Sequence, residues 1–177
     1  MRYAFKAALF AAVSLTALPA FAQNAEGELV VTATRIKAPI TNLPADVTIV
    51  DADTALSRGQ TTLSQALEDT PGLGVVQAGG IGQQTSLFAG GANSYHALVL
   101  FDGLRINDPS TPNSSFDAGQ DQVNGLSRIE IVEGPMSAVF GSDALGGVIN
   151  MIARHGRDGA LNARLDVAAG SLETMQA

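Results

Sequence analysis

Two histidines, His96 and His155, are the side chains of this sequence best suited to bind a metal ion or to transfer protons near neutral pH. They are about 60 residues apart, and neither has companions at ligand spacing. The sequence has no cysteine, which excludes disulfides, thiolate zinc sites, iron–sulfur clusters and thiol catalysis. We therefore expect neither a metal site nor a catalytic histidine.

Carboxylates and glycine-rich segments offer no stronger chemistry. Four aspartates in and before one long polar segment could ligate calcium: Asp102, Asp108, Asp117 and Asp121. Their spacing does not match the helix–loop–helix calcium motif, which favours solvated loop carboxylates. Residues 79–82 lack the spacing of a dinucleotide fingerprint, and residues 141–147 lack the lysine of a phosphate-binding loop. The sequence predicts no catalytic residue and no bound cofactor. Of the functions considered for this chain, that of an exported hydrolase therefore has the least support.

The composition describes an acidic, glycine-rich chain with few aromatic residues. Of its 177 residues, 17 are acidic, 10 are basic and 19 are glycine, and aromatic residues make up 5%. A net charge of −7 disfavours a nucleic-acid partner, because phosphate binding needs a concentrated basic surface. An apolar content of 46% is too high for a disordered acidic tail, and the length suits one modest domain.

The first 22 residues have the three-part layout of a secretory signal peptide. Arg2 and Lys6 precede an apolar run over residues 7–18, and an A-x-A cleavage motif ends at Ala22. The run is about 12 residues long, whereas a membrane-spanning helix needs roughly 20. We therefore expect export from the cytoplasm, with a membrane anchor as the alternative.

The domain predicted at residues 46–155 combines short strands, short helices and long polar loops. Period-two patterns and apolar runs predict strands at residues 47–50, 86–89, 97–101, 128–133 and 146–152. The wholly apolar strand at 97–101 is expected to be central, and the alternating strand at 128–133 to be covered on one side. Helices are predicted at residues 62–69, capped by Thr61 or Thr62, and at residues 137–140. The fold class is therefore α+β, a small mixed sheet with short helices and long polar loops.

Two further segments flank this domain. Residues 23–45 form a predicted linker, in which a β-prone run at residues 28–34 precedes two prolines. Residues 156–177 begin with a turn and then alternate apolar and polar residues from Leu161, as a strand of a membrane β-barrel does. An ordinary edge strand is the alternative. Because a single barrel strand cannot exist alone in lipid, the barrel interpretation predicts that the chain is cut short.

Several segments, taken in order, resemble the plug domain of TonB-dependent outer-membrane receptors. They are residues 28–35 (ELVVTATR, similar to the TonB box), 67–74 (LEDTPGLG), 98–105 (LVLFDGLR) and 129–147 (IEIVEGPMSAVFGSDALGG). The resemblance runs from about residue 28 to residue 154. The box and the GSDALGGVIN ending are most similar to those of cobalamin receptors.

The resemblance implies a function in active uptake across the outer membrane. The TonB box would add a strand to the C-terminal domain of TonB, through Glu28, Leu29, Val30, Val31, Thr32 and Ala33. The plug would gate a barrel that transports cobalamin or a metal chelate such as a siderophore. The candidate ligand-facing loops are residues 79–86 and 105–122, and the candidate ligand-binding residues are Gly82, Gln83, Gln84, Ser86, Asn107 and Asp108.

Two positions and the chain length depart from the family pattern. Gly90 and Glu133 stand where many members carry arginines that would pair with carboxylates at the plug–barrel boundary. A barrel of about 22 strands would need several hundred further residues, so we expect a plug followed by the first strand of a missing barrel. The expected location is the Gram-negative outer membrane, or the periplasm for the fragment alone. A free-standing periplasmic ligand-binding module is the main alternative.

Overall fold

The computed structural model of the chain describes residues 29–30, 38–39, 46–80, 82–156, 168–169 and 175–176. In chain order the strands are β1 (Leu29–Val30), β2 (Ala38–Pro39), β3 (Asp46–Asp51), β4 (Leu73–Gln77), β5 (Thr85–Ala89), β6 (Ala97–Phe101), β7 (Leu104–Arg105), β8 (Leu126–Glu133), β9 (Gly147–Ala153), β10 (Ala168–Ala169) and β11 (Met175–Gln176). The α-helices are α1 (Ala52–Ser57), α2 (Leu63–Leu67) and α3 (Ser137–Phe140).

The main sheet has five strands in the order β3–β8–β9–β6–β7. β6 and β9 are parallel, and the other neighbouring strands are antiparallel. β4 and β5 form a separate antiparallel hairpin. This arrangement is the small mixed sheet with short helices that the sequence predicts.

The middle of the sheet is occupied by β9, and not by β6 as its wholly apolar sequence predicts. β9 pairs with β8 along its whole length, from Gly147 opposite Glu133 to Ala153 opposite Leu126. β6 has β9 on one side and only the two residues of β7 on the other. Four of its five residues are nevertheless buried. A wholly apolar run therefore indicates that both faces of a strand are buried. It does not indicate how many neighbouring strands are hydrogen-bonded to it.

β8 is covered on both faces, which corrects the expectation of a strand covered on one side. Ile129 and Ile131 are 0% exposed on one face, and Glu130 and Val132 are 0% exposed on the other. Glu130 can be buried because its Oε1 accepts hydrogen bonds from Arg128 Nε at 2.9 Å and Nη2 at 2.7 Å. The ion pair replaces the water that the carboxylate loses, so charge within an alternating pattern does not mark a solvent-facing side here.

Two apolar clusters lie on opposite faces of the sheet, as expected where successive side chains alternate. The larger cluster joins the sheet to α1, α2 and the β4–β5 hairpin, and its fully buried large side chains are Leu63, Leu67, Leu87, Val99, Val123, Ile129, Ile131 and Ile149. The smaller cluster contains Leu98, Leu100, Val132, Ala144 and Val148, with Met136 and Phe140 packed against it. Each fully buried Leu, Ile or Val contributes about 1.5–3 kcal/mol through removal of apolar surface from water.

α2 begins where one of the two predicted caps places it. Thr62 Oγ1 accepts from Gln65 N at 3.3 Å, and Gln65 Oε1 accepts from Thr62 N at 3.2 Å. This reciprocal capping box satisfies two backbone donors that the helix itself leaves free. Leu63 and Leu67 are 0% exposed, so the predicted apolar face is the buried one.

α1 was not predicted from the sequence. It begins at Asp51, whose Oδ1 accepts from Thr54 N at 2.7 Å. Its buried face consists of Ala52 and Ala55. Two alanines within six residues are a faint periodic signal, and the capping aspartate was the only clear local indication of a helix start.

Little of either terminal segment lies within the described residues. The signal peptide at residues 1–22 lies outside them, as do four residues of the box: Glu28, Val31, Thr32 and Ala33. The other two box residues form β1, whose backbone pairs antiparallel with β2. Beyond Gly156, only β10 and β11 are described, and they pair with each other. Among the described helices, none combines the length and apolar character needed to cross a membrane.

Candidate functional site

Two polar loops lie side by side and form one surface. The glycine-rich loop (residues 78–84) joins β4 to β5, and the long polar loop (residues 106–125) joins β7 to β8. Thr85 N donates to Asp117 Oδ1 at 2.8 Å, and Ala118 N donates to Thr85 O at 2.9 Å. These two bonds join the long polar loop to the foot of the glycine-rich loop. The structure therefore brings together the two segments that the sequence predicts to face a ligand.

Gly119 allows the two loops to approach closely. A Cβ at this position would overlap the carbonyl oxygen of Gln83, so a larger residue would push the loops apart. Gly119 N also donates to Asp117 Oδ1 at 2.9 Å. The carboxylate that binds the backbone of Thr85 thus also positions Gly119. Asp117 therefore connects the two loops. The sequence does not indicate this role, because Asp117 is one of several aspartates in the same polar segment.

The β4–β5 hairpin holds the glycine-rich loop and its candidate side chains. Ala78 N donates to Gln84 O at 2.9 Å and closes the loop above the last strand pair. Gly82 has a φ of +82°, which residues with a side chain rarely adopt. Gln83 and Gln84 are exposed, whereas Ser86 is half-buried on β5. The hairpin therefore presents two side-chain amides to solvent.

Asn107 is buried and its side chain is used inside the protein, which corrects its placement among the ligand-facing residues. It is 7% exposed. Its Oδ1 accepts from Val99 N at 2.8 Å, and its Nδ2 donates to Ala97 O and Ser114 O, both at 3.2 Å. Because β7 covers only the end of β6, Asn107 takes the place of a strand partner there. Its type and loop position in the sequence gave no sign of this inward role.

Asp108 is the next residue, and unlike Asn107 it is exposed. Its Oδ1 accepts from Ser110 N at 2.8 Å. Hydrogen bonds from the side chain and the backbone of Ser110 lower the pKa of Asp108. Thr111 Oγ1 lies 2.9 Å from Asp108 O and 3.0 Å from Ser115 O, which keeps this part of the loop compact. Asp108 is an ionised, solvent-facing carboxylate at neutral pH.

Asp121 lies deeper, where the long polar loop meets α2. Its backbone oxygen accepts from Leu63 N at 2.8 Å. Burial raises the pKa of the Asp121 carboxyl, and the negative charge of Asp117 raises it further. The electrostatic field of this loop is therefore negative at Asp121.

Asp102 is engaged elsewhere and does not complete a calcium site. It occupies the β6–β7 turn with a φ of +47°, and its Oδ1 accepts from Ala153 N at 3.0 Å. Gly103 N donates to Asn150 Oδ1 at 3.1 Å, and Asp102 N donates to Met151 O at 2.9 Å, so three bonds tie the predicted turn to β9. Among the described residues, no group of three or more histidines and carboxylates is placed to hold a metal ion.

A cavity of about 450 Å³ lies where β6 and β9 end and β8 begins. Sequence reasoning missed it, because three strand ends that are distant along the chain form its walls. Its charged side chains are engaged in the pairs Arg128–Glu130, Arg154–Asp53 and His155–Asp102. The two arginines and His155 therefore each face a carboxylate, and the His155–Asp102 pair joins the segment after β9 to the turn after β6.

The family of the chain follows from residues 39–148, which match the model described as TonB-dependent Receptor Plug Domain. This match covers more than half of the chain. The chain belongs to the TonB-dependent receptor plug family. The matched residues extend from β2 to the start of β9, so the strands β3 to β8, the hairpin and the loop surface of this plug all lie within the family region.

Solved siderophore receptors share the fold of this plug. The siderophore receptor PiuA from Acinetobacter baumannii is 28% identical, with a TM-score of 0.54 over 69% of this chain and 16% of that chain. A mutant of the ferric enterobactin receptor PfeA from Pseudomonas aeruginosa, in complex with enterobactin, is 25% identical, with a TM-score of 0.51 over 64% of this chain and 18% of that chain. The outer-membrane ferripyoverdine receptor of Pseudomonas aeruginosa, bound to ferripyoverdine, matches in fold, with 20% identity and a TM-score of 0.61 over 73% of this chain and 17% of that chain. The matches thus span less than a fifth of each receptor.

The plug's backbone gives a reason for one of its two departures from the family pattern. Gly90 has a φ of +57°, and a Cβ there would lie 2.8 Å from Gly146 O. An arginine at this position would need a different local backbone. Glu133 ends β8 opposite Asp46, and its half-buried carboxylate lies against Gly72. It therefore occupies space that a side chain at position 72 would need.

Proposed function

We propose that this chain is the gating plug of a TonB-dependent outer-membrane transporter that takes up a metal chelate, such as a siderophore, or cobalamin. The match of residues 39–148 to the plug family carries the proposal. The juxtaposed loops supply a surface on which a ligand can be sensed, since the bonds of Asp117 and Ala118 to Thr85 join two distant segments. A conformational change in one loop would therefore move the other loop.

The choice of ligand class draws on two similarities. The solved receptors that share the fold are named for siderophores, including enterobactin and ferripyoverdine. The box and the GSDALGGVIN ending of this chain are most similar to cobalamin receptors. Both ligand types are compact metal complexes rich in hydrogen-bonding groups, which suits a surface built from amide and hydroxyl side chains.

The proposed partner is the C-terminal domain of TonB, bound through residues 28–33. This segment is rich in β-branched residues, which favour strand formation, and a linker of more than ten residues separates it from the sheet. Its backbone at Leu29 and Val30 already pairs with Ala38 and Pro39 in an antiparallel register. A segment that pairs in this way can instead complete a sheet edge on a partner.

The proposed domain organisation follows from the same function. Residues 1–22 direct export, residues 23–45 carry the box and linker, and residues 46–155 form the plug. Residues 156–177 form the first part of the barrel. The proposed cellular location is the outer membrane. The sheet begins at Asp46 and its last strand ends at Ala153, which supports the plug bounds.

Replacement of Val31 by proline tests the partner assignment. Val31→Pro removes a backbone donor and blocks strand pairing, so we expect the affinity for the TonB C-terminal domain to fall about tenfold or more. Calorimetric titration of the TonB domain into the full chain measures the affinity. Circular dichroism should be unchanged, because position 31 precedes in the chain the first strand of the plug sheet, which begins at Asp46.

Val31→Thr is the matched control, because threonine keeps the backbone donor and the β-branched shape. Its affinity should remain within about twofold of the parent chain. Equal affinities for the proline variant and the parent chain would refute the box assignment.

A further inference from the structure

The loop surface, defined as the described residues 78–80, 82–86 and 106–125, receives negative but no positive charge from its own residues. Residues 59–104 contain no lysine or arginine, and residues 106–127 contain no lysine, arginine or histidine. The carboxylates that belong to the surface are Asp108, Asp117 and Asp121. An anion that approaches these loops therefore meets like charge without a loop cation to offset it.

The loop carboxylates are held where they act on the surface. Asp108 is exposed, and its bonds from Ser110 favour the charged form. Asp117 is fixed between the backbone N–H groups of Thr85 and Gly119, at 2.8 Å and 2.9 Å. The negative field is therefore built into the folded loops.

Three of the four arginines of the described residues pair with carboxylates outside the loop surface. Arg58 lines a cavity beside β3. The other three pair with carboxylates, as Arg105–Asp143, Arg128–Glu130 and Arg154–Asp53. Arg105 is adjacent to the long polar loop, but its charge is directed to Asp143. None of the arginine–carboxylate pairs found within the described residues includes a carboxylate of the loop surface.

Neutral hydrogen-bonding groups dominate the accessible part of the surface. The exposed amide side chains include Gln83, Gln84, Asn113 and Gln120, whereas the exposed amides of Asn124 and Gln122 bond to each other at 3.4 Å. Each amide offers two donors and one acceptor oxygen. Such groups match carbonyl, amide and hydroxyl groups of a ligand without requiring it to carry negative charge.

We propose that the ligand of this plug is a neutral or cationic metal complex bound through hydrogen bonds to side-chain amides, and that the loop carboxylates discriminate against polyanionic chelates. The inference rests on the proposed uptake function and adds to it the charge class of the ligand. Discrimination arises because a like charge close to a fixed carboxylate costs binding free energy that a neutral ligand does not lose.

Three probes of different charge test this proposal: cyanocobalamin, which is neutral, ferrioxamine B, which is cationic, and ferric enterobactin, which is trianionic. Calorimetry with the full chain at low salt measures each affinity. We expect cyanocobalamin or ferrioxamine B to bind about tenfold or more tightly than ferric enterobactin. Added salt should reduce this ratio, because screening weakens the interaction between exposed charges.

A charge-reversal pair assigns the effect to the loop surface. Asp108→Lys should weaken ferrioxamine B binding about fivefold and should strengthen ferric enterobactin binding. Asp69→Lys makes the same change of net charge at an exposed position beyond the opposite end of β4, and it should leave the ratio unchanged. An equal effect of both variants would show a non-specific response to net charge and would overturn the proposal.

The remaining outcomes separate this inference from the uptake function. If ferric enterobactin binds the parent chain as tightly as the other probes, the charge-class inference is overturned and the uptake function stands. If none of the three binds, the inference falls together with the ligand-sensing part of the proposed function. The TonB titration with Val31→Pro tests the remaining part independently.

Discussion

At the scale of single residues, polar side chains with several backbone partners decide the shape of the loop surface. Asp117 accepts from Thr85 and Gly119, and Asn107 bonds to three backbone groups. These bonds satisfy backbone groups that an irregular loop would otherwise leave unpaired. In the sequence both residues resemble ordinary loop residues. Apart from Gly119, which is two residues from Asp117, their partners are seven or more residues away, so no local pattern distinguishes these two residues from exposed neighbours.

Asn107→Ala should destabilise the plug by about 2–3 kcal/mol, because it leaves the buried Val99 N–H without its acceptor and removes two further bonds. The free energy of unfolding from urea denaturation, followed by circular dichroism, measures the loss. Asn124→Ala is the control, since Asn124 is exposed, and it should change stability by less than about 0.5 kcal/mol. A loss at Asn107 no larger than at Asn124 would contradict the inward role.

At the scale of elements, local capping chemistry proved more informative than apolar periodicity. The sequence places α2 through Thr62 and the spacing of Leu63 and Leu67, and both features are present. α1 escaped prediction because its buried face is only two alanines. The five strands predicted in the domain, β3, β5, β6, β8 and β9, agree with the structure to within two residues at each end, whereas β4 and β7 were not predicted. Whether a strand is covered on one face or two depends on what packs against it, as at β8.

Thr62→Ala should cost about 1 kcal/mol, because it removes the oxygen that accepts from Gln65 N and opens the capping box. The same unfolding titration measures this. Thr61→Ala is the matched control, and no side-chain hydrogen bond of Thr61 is found within the described residues. It should cost clearly less than Thr62→Ala. Equal losses would mean that packing, and not capping, explains the role of Thr62.

At the scale of the whole molecule, one central strand connects two cores. β9 contributes Ile149 and Met151 to the larger cluster and Val148 to the smaller one. β9 also pairs with both β8 and β6. Damage at its centre should therefore weaken the whole plug and not a single face. The loops, the hairpin and the helices all depend on this strand for their position.

Ile149→Ala should destabilise the whole plug by about 2–5 kcal/mol, because Ile149 is 0% exposed in the middle of the sheet. Leu104→Ala is the control, since Leu104 is 72% exposed, and it should cost less than about 0.5 kcal/mol. Unfolding followed by two probes, circular dichroism and tyrosine fluorescence, should give coincident transitions. Separate transitions for Ile149→Ala would show that the two cores unfold independently.

The sequence by itself was sufficient to identify the family and to predict the fold class and the positions of most elements. These depend on short-range features: period-two patterns, a capping box and ordered motifs, which neighbouring residues carry. Only the tertiary structure decided that β9 is central, that Glu130 is buried, that Asn107 faces inward and that the two loops meet. These outcomes depend on contacts such as Thr85 with Asp117, 32 residues apart, whose formation requires the folded sheet between them. A local pattern describes what a segment can do, whereas long-range packing selects which of its groups remain accessible.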